Sequence, residues 1–321
     1  MIPNSKFITI TDNRVLLEQF IKDIIIGPKR TLKNWAKITR QTPSFKIGYT
    51  GQHIASLITG VEGRGSGARG DDLCDGTEVK SCNKIDQLDK CKDCNGSVLR
   101  YENICPHCGS KKIERKDDSK WLFSVRSEEE LKQYTNLERI LLILMDYPNF
   151  NDDDFKDIRI TAFEIYPKDP RCKVFNQLIT HHYRNIYLPK IAEKNSANPM
   201  NLHPYSFQFY KCNPTLVFNC IIKDIEGPSP TLSITDYVQP TDERNGSILM
   251  PTTLLKEYEW STIKYQKLKN CYPKIPQKQD FNSLPINEKS SLAPFIDETI
   301  REDIPLRPII SVRQKTQYKR S

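Results

Sequence analysis

The run Asp71-Asp72-Leu73-Cys74-Asp75-Gly76-Thr77-Glu78-Val79-Lys80 gathers two kinds of group that phosphodiester hydrolysis needs, carboxylates and an ammonium. Successive side chains of a strand point to opposite faces, so Glu78 and Lys80 share one side of a strand over Thr77–Lys80 while Val79 faces the core. Asp75-Gly76 is a favoured hairpin turn pair, and a turn there brings Asp71 or Asp72 back beside Glu78. Two carboxylates converging on one point suit a hard divalent cation such as Mg²⁺. A lysine beside them can orient an attacking water and face the charge that develops on a phosphate. An isolated Glu-x-Lys triplet is common on solvent-facing strands. Here it follows an acidic pair, a turn and a segment with Gly60, Gly63, Gly65, Gly67 and Gly70, where backbone can approach a phosphate chain. No Gly-Lys-Ser/Thr follows these glycines, which excludes a nucleotide-binding P-loop.

A second constellation lies just downstream. Of ten cysteines, Cys91, Cys94, Cys105 and Cys108 form two Cys-x-x-Cys pairs ten residues apart. Two such knuckles facing each other make a closed tetrahedral Zn²⁺ site, structural rather than catalytic because four thiolates leave no open position. His107 is read as a surface residue of the knuckle, and Cys74 and Cys82 as small packing residues. Lys111, Lys112, Arg115 and Lys116 follow the second pair and suit either a nucleic-acid surface or a solvated face.

The positioning elements follow from periodicity. Leu16, Leu17, Phe20, Ile21, Ile24 and Ile25 recur at helical spacing within residues 13 to 40, with a break expected at Gly27-Pro28. A second helix is expected over Gly51 to Ile58, and strands over residues 121–125, 140–145 and 158–165. Ser127 and Glu130 form a capping box for a helix from Glu128 to Tyr134. After residue 170 the signals weaken, prolines recur, and 272–308 reads as loop-rich. The aromatic run His203 to Lys211 reads as core more readily than as a base-contacting surface, and base readers are expected among residues 170–260, with His181 and His182 as candidates.

The chain has 321 residues and a net charge of +8, which favours a polyanionic partner. No acidic residue lies between Lys29 and Val61, where Lys29, Arg30, Lys33, Lys37, Arg40 and Lys46 cluster, and Arg313, Lys315, Lys319 and Arg320 repeat this at the C-terminal end. That run serves either nucleic acid or a solvated face. No stretch reaches the roughly 18 apolar residues of a membrane helix, and Met1-Ile2-Pro3-Asn4 lacks a secretory layout, so a cytoplasmic protein is expected.

From Gly48-Tyr49-Thr50-Gly51 through Ile54 and Leu57 to Glu78-Val79-Lys80, the chain resembles the catalytic segment of MutH-type nicking endonucleases. With the cysteine pairs included, Arg69 to Ser81 is similar to restriction endonucleases of the MamI kind, and the resemblance covers residues 48–125. It implies an α/β fold of the PD-(D/E)xK nuclease type, a mixed sheet flanked by helices. Glu78 and Lys80 then take the second and third catalytic positions. The first falls to Asp71 by MutH spacing or to Asp72 by the pattern of aspartate before an apolar residue. MutH-type enzymes carry a glutamate on the preceding helix where this chain has Ala55, which leaves Gln52, one turn earlier, as the nearest polar candidate.

The expected organisation is a catalytic core over 1–168, a zinc ribbon inserted at 88–117, and a DNA-recognition clamp over 169–321. The resemblance implies Mg²⁺-dependent cleavage of double-stranded DNA at a specific sequence, leaving 5′-phosphates, with a cognate DNA methyltransferase as functional partner. Palindromic sites are met by two-fold symmetric proteins, which points to a homodimer. The competing readings are a repair nickase or junction resolvase on the same core, a non-catalytic zinc-ribbon DNA-binding regulator, and RNA as the substrate.

Overall fold

The computed structural model describes residues 1–43, 47–65, 71–194, 196–244, 246–251, 254–271, 277, 283–285, 288–289, 295–296 and 298–307. Lys46, Gly67, Arg69, Gly70 and the basic C-terminal residues lie outside these. The chain forms two compact units, one of residues 1–204 and 214–248, the other of 205–213 and 249–321. Among the described residues no helix is long and apolar enough to cross a membrane.

The first unit opens with helix α1 (Asn13–Phe20), six residues of π-helix (Ile21–Ile26) and α2 (Gly27–Thr39). The break expected at Gly27-Pro28 does not occur. The π turns let the Gly27 N–H reach the Lys22 carbonyl, and Pro28 falls in the first turn of α2, where its missing N–H is not needed. Helix α3 runs Ile47–Thr59, longer at both ends than expected. Leu17, Ile21 and Ile25 meet Ile54, Ala55 and Ile58 of α3 in one fully buried core.

Strand β1 (Thr77–Asn83) is followed by β2 (Asp89–Cys91), β3 (Ser97–Val98) and β4 (Ile113–Glu114), which form a separate small sheet ordered β3-β2-β4. Next come β5 (Trp121–Phe123), α4 (Glu128–Thr135), β6 (Arg139–Asp146) and β7 (Ile158–Ile165). Half of the expected α4 capping box forms, with Ser127 Oγ accepting from the Glu130 N–H, while the Glu130 carboxylate accepts from the Arg126 N–H instead of that of Ser127. Helices α5 (Lys173–His182) and α6 (Leu188–Lys194), then β8 (Met200–Leu202), lead to α7 (Phe207–Lys211) of the second unit. The chain returns to the first unit as β9 (Thr215–Lys223) and β10 (Thr231–Tyr237).

The central sheet has five strands in the order β1-β6-β7-β9-β10. Strand β1 runs parallel to β6, and the remaining pairs are antiparallel. Every residue of β6 is buried, because this strand is covered on both faces. Two of the five strands come from beyond residue 168, the boundary expected for the core. The strand expected at 121–125 is shorter and lies outside this sheet. Both edges of β6 are taken by β1 and β7, so β5 pairs with β8 instead and fixes itself through Trp121 Nε1 donating to the Ile143 carbonyl at 3.0 Å.

The second unit contains α7, β11 (Met250–Pro251), α8 (Glu257–Trp260), α9 (Tyr265–Cys271), β12 (Phe295–Ile296) and α10 (Glu298–Arg301). Phe207, Phe209 and Tyr210 are buried, which makes the 203–211 aromatic run core. Arg307 reaches both Glu259 carboxylate oxygens and lies 3.9 Å over the Phe207 ring.

Candidate active site

The alternation read from the sequence holds on β1: Val79 is buried, and Glu78 and Lys80 are partly exposed on the opposite face. Lys80 Nζ lies 2.5 Å from Glu78 Oε1. The segment before the strand is a tight turn rather than a hairpin arm. The N–H groups of Asp72 and Leu73 both donate to the Thr77 carbonyl, the Gly76 N–H donates to Leu73, and Gly76 takes a φ of +85° that glycine adopts without strain. This turn folds Asp72 back onto β1, where its Oδ2 accepts from the Val79 N–H at 2.7 Å.

Gln52 of α3 donates to the other Asp72 oxygen at 2.6 Å, so the helix does contribute a polar group at this point. Its reach depends on close packing of α3 on β1. A methyl group on Gly51 would stand 1.9 Å from Ser81 Oγ and 3.1 Å from its Cβ, so a larger residue there would force the Ser81 hydroxyl to turn away. Asp71 points elsewhere, with Arg64 3.6 Å from its Oδ2. A cleft of about 370 Å³ runs from Asp72 along Tyr49, Gln52, His53 and Ser56 of α3, with Gly63 and Gly65 on its other side.

Burial pushes the Asp72 carboxyl above its ordinary value, against the Val79 N–H, Lys80 and Gln52, which pull it down. Burial likewise raises Glu78; Lys80 opposes this, and Asp72 and then Asp71 add to it. Lys80 stays above its usual range because Glu78 and Tyr134 outweigh the cost of its burial. Two half-buried carboxylates that hold positive charge strongly fit a hard divalent cation. Among the described residues only the four cysteines bring three or more ligand atoms within 4.8 Å of one another, so Asp71, Asp72 and Glu78 do not close to that separation.

Behind the turn lies a buried ionic network. Asp75 Oδ1 accepts from the Thr77 N–H at 3.1 Å, and its Oδ2 accepts from Arg139 at 2.5 Å. Arg139 also donates to Thr77 Oγ1 at 2.9 Å and to Glu164 Oε1 at 3.0 Å, and Arg244 donates to Glu164 Oε2 at 3.1 Å. Glu164 and Arg244 are fully buried. Asp75 thus shapes the turn, as read from the sequence, while its buried partners arrive from strands that sequence spacing does not link to it.

Sequence reasoning missed Tyr134 and Phe123. Tyr134 Oη is 3.5 Å from Glu78 Oε1, and the Lys80 ammonium sits 5.6 Å from the Tyr134 ring centre and 6.0 Å from that of Phe123. The helical spacing of α4 placed Tyr134 on the same side as Leu131, but nothing local tied that side to Glu78.

The cysteines converge as their spacing predicts. Cys91 and Cys108 sulfurs lie 3.6 Å apart, as do those of Cys94 and Cys105. Four ligands at about 2.3 Å from a central Zn²⁺ make a tetrahedron with edges of about 3.8 Å, so the cluster has the size of such a site. Each knuckle closes on a left-handed residue, Asn95 (φ 60°) and Gly109 (φ 74°). Backbone N–H groups of Cys94 and Asp93 help hold the Cys91 thiol at about 6, whereas sulfur contacts within the cluster push the Cys94 and Cys108 thiols up.

Along and just after α2, Arg30 and Lys37 stay exposed, while Lys29, Lys33 and Arg40 are drawn to carboxylates of the cysteine-bearing insertion and neighbouring chain. Arg40 pairs with both Glu102 oxygens at 2.6 and 2.9 Å, Lys33 and Lys37 lie over the Tyr101 ring, Lys33 pairs with Glu226, and buried Lys29 pairs with Asp86. Arg115, expected on a nucleic-acid surface or a solvated face, instead binds Asp89 at 2.9 Å and the carbonyls of Arg100 and Glu102. His182 is buried against the Asn198 carbonyl.

Over 75 residues the chain is 39% identical to the type II restriction enzyme MamI of Microbacterium ammoniaphilum, a match spanning 23% of this chain and 24% of that enzyme. No solved structure matches the chain. The family model of the MamI restriction endonuclease matches residues 34–253, a span holding the turn, β1, all four clustered cysteines and every strand of the central sheet. The chain belongs to the MamI restriction endonuclease family.

Proposed function

We propose that the protein is a type II restriction endonuclease that cuts both strands of DNA at a specific sequence and leaves 5′-phosphates. The observation that carries the reading is the turn that folds Asp72 onto the Val79 N–H, between the paired Glu78 and Lys80 of β1, with Gln52 on its other oxygen. It supports reading β1 as a PD-(D/E)xK strand. Of the two aspartates, Asp72 takes the first catalytic position, because its side chain faces β1 while that of Asp71 lies near Arg64.

Asp72 and Glu78 are the residues that would hold Mg²⁺, as hard oxygen donors of the right charge. A bound divalent cation supplies neutralising charge at the scissile phosphate and a more acidic water. Lys80 presents its ammonium on the same face, where it stabilises the charge that develops on the phosphate oxygens. Gln52 fixes the orientation of Asp72, and Asp75 with Arg139 fixes the turn that delivers it. The four cysteines would hold a structural Zn²⁺, making residues 88–117 a ribbon that braces the end of β1 against α2.

One such site per chain calls for a second copy to cut the second strand, hence a homodimer on a palindromic sequence. A methyltransferase of matching specificity would protect the host DNA, in the cytoplasm where both act. Incubation with Mg²⁺ and a sequenced plasmid, followed by sequencing of the ends, tests the reading. Fixed double-strand cuts with 5′-phosphates support it. Single-strand nicks alone indicate a nickase, and DNA binding with no cutting in Mg²⁺ or Mn²⁺ indicates a regulator.

A further inference from the structure

We propose that Tyr134 is a positioning residue of the catalytic site, whose ring and hydroxyl fix the Lys80 ammonium against Glu78. The proposal rests on the nuclease reading of that site. A lysine has four rotatable bonds and loses rotamer freedom when held in one place, so an ammonium aimed at a reacting phosphate needs neighbours that hold it.

The structure gives Lys80 three such neighbours on different elements. Glu78 Oε1 is 2.5 Å away, and the Tyr134 and Phe123 rings lie at 5.6 and 6.0 Å, within cation–π range. The two rings brace each other at 5.8 Å in an edge-on contact, and Phe123 is braced in turn by Phe175 at 5.3 Å. Phe123 is fully buried and serves the core. Tyr134 is only partly buried, and its hydroxyl stands 3.5 Å from the same Glu78 oxygen that binds Lys80. A phenylalanine would fill the packing role equally well, so the hydroxyl is the part that packing does not explain. The carboxylate, ammonium and phenol form a compact triangle whose third corner comes from α4.

Two variants separate positioning from packing. Tyr134→Phe keeps the ring and removes the hydroxyl, and Tyr134→Leu removes both. On a duplex carrying the mapped cut site, we expect kcat to fall roughly threefold for the first and roughly 30-fold for the second, with KM within twofold and thermal stability of Tyr134→Phe unchanged. The second measurement is independent of activity: carbon relaxation at the Lys80 Cε, identified by its loss in Lys80→Arg. The side chain should be ordered in the unaltered protein and mobile in Tyr134→Leu. Equal mobility in the two, or an unchanged kcat in both folded variants, overturns the positioning role. Protein that cuts no DNA while Tyr134 still orders Lys80 overturns the nuclease reading and leaves the positioning contact supported.

Discussion

Replacing Glu164 by glutamine removes one buried charge from the network behind the catalytic turn. Glu164 is fully buried and accepts from Arg139 at 3.0 Å, from Arg244 at 3.1 Å and from the Tyr166 hydroxyl. Arg139 is buried and Arg244 fully so. With glutamine the two arginines keep one neutral oxygen between them, and the new amide N–H₂ group faces donors. Breaking a buried ion pair from one side costs about 3–5 kcal/mol, because it strands the remaining charge. Arg139 retains Asp75, and Arg244 retains the Gln239 and Asp242 carbonyls, so the loss belongs at the lower end, about 3 kcal/mol. That corresponds to a fall of roughly 10 °C in melting temperature. Asp75→Asn makes the contrast. Its side chain is 16% exposed, and asparagine keeps the bond from the Thr77 N–H, so the stability loss is smaller, about 2 kcal/mol. It does loosen the turn that delivers Asp72, and cleavage by folded protein should slow roughly tenfold. Urea unfolding at neutral pH, with the denaturant slope compared between variants, measures the first effect, and single-turnover cutting measures the second. Glu164→Gln losing under about 1 kcal/mol, or Asp75→Asn costing more stability than Glu164→Gln, would refute the assigned roles.

Two further outcomes follow from the site. The protein should carry one zinc per chain, and Cys94→Ser or a strong chelator should lower the melting temperature, because the ribbon holds Arg40, Lys33 and Lys37 of α2; a metal-free protein indifferent to chelation contradicts this. Burial raises the Asp72 and Glu78 carboxyls above their ordinary 3.8 and 4.5, so cleavage should be lost on acidification before those values are reached. A kcat/KM profile that stays flat down to pH 4.5 would contradict that sign.

The sequence carried the local half of this molecule. Alternation put Glu78 and Lys80 on one face, and cysteine spacing put four thiols in one cluster, because both depend on neighbours a few residues apart. The longer-range half was not legible. Tyr134 lies 56 residues from Glu78, and only the packing of α4 brings them together. The 121–123 strand looks like any core strand until β1 and β7 occupy both edges of β6. The α2 lysines read as a free basic face because a sequence shows charges without their partners, and Glu102, Glu226 and Asp86 lie far along the chain. Strands β9 and β10 fall where the local signals weaken, and tertiary pairing of β9 with β7 and of β10 with β9 makes them part of the central sheet.

The proposed function assigns DNA hydrolysis to the Asp72, Glu78 and Lys80 side chains around β1. Its most direct measurement is cutting and duplex binding by Glu78→Gln and Lys80→Met beside the unaltered protein, on one mapped fragment with Mg²⁺. Both variants should keep duplex binding and lose cutting by about a thousandfold or more. Cutting by either variant at the unaltered rate would contradict it.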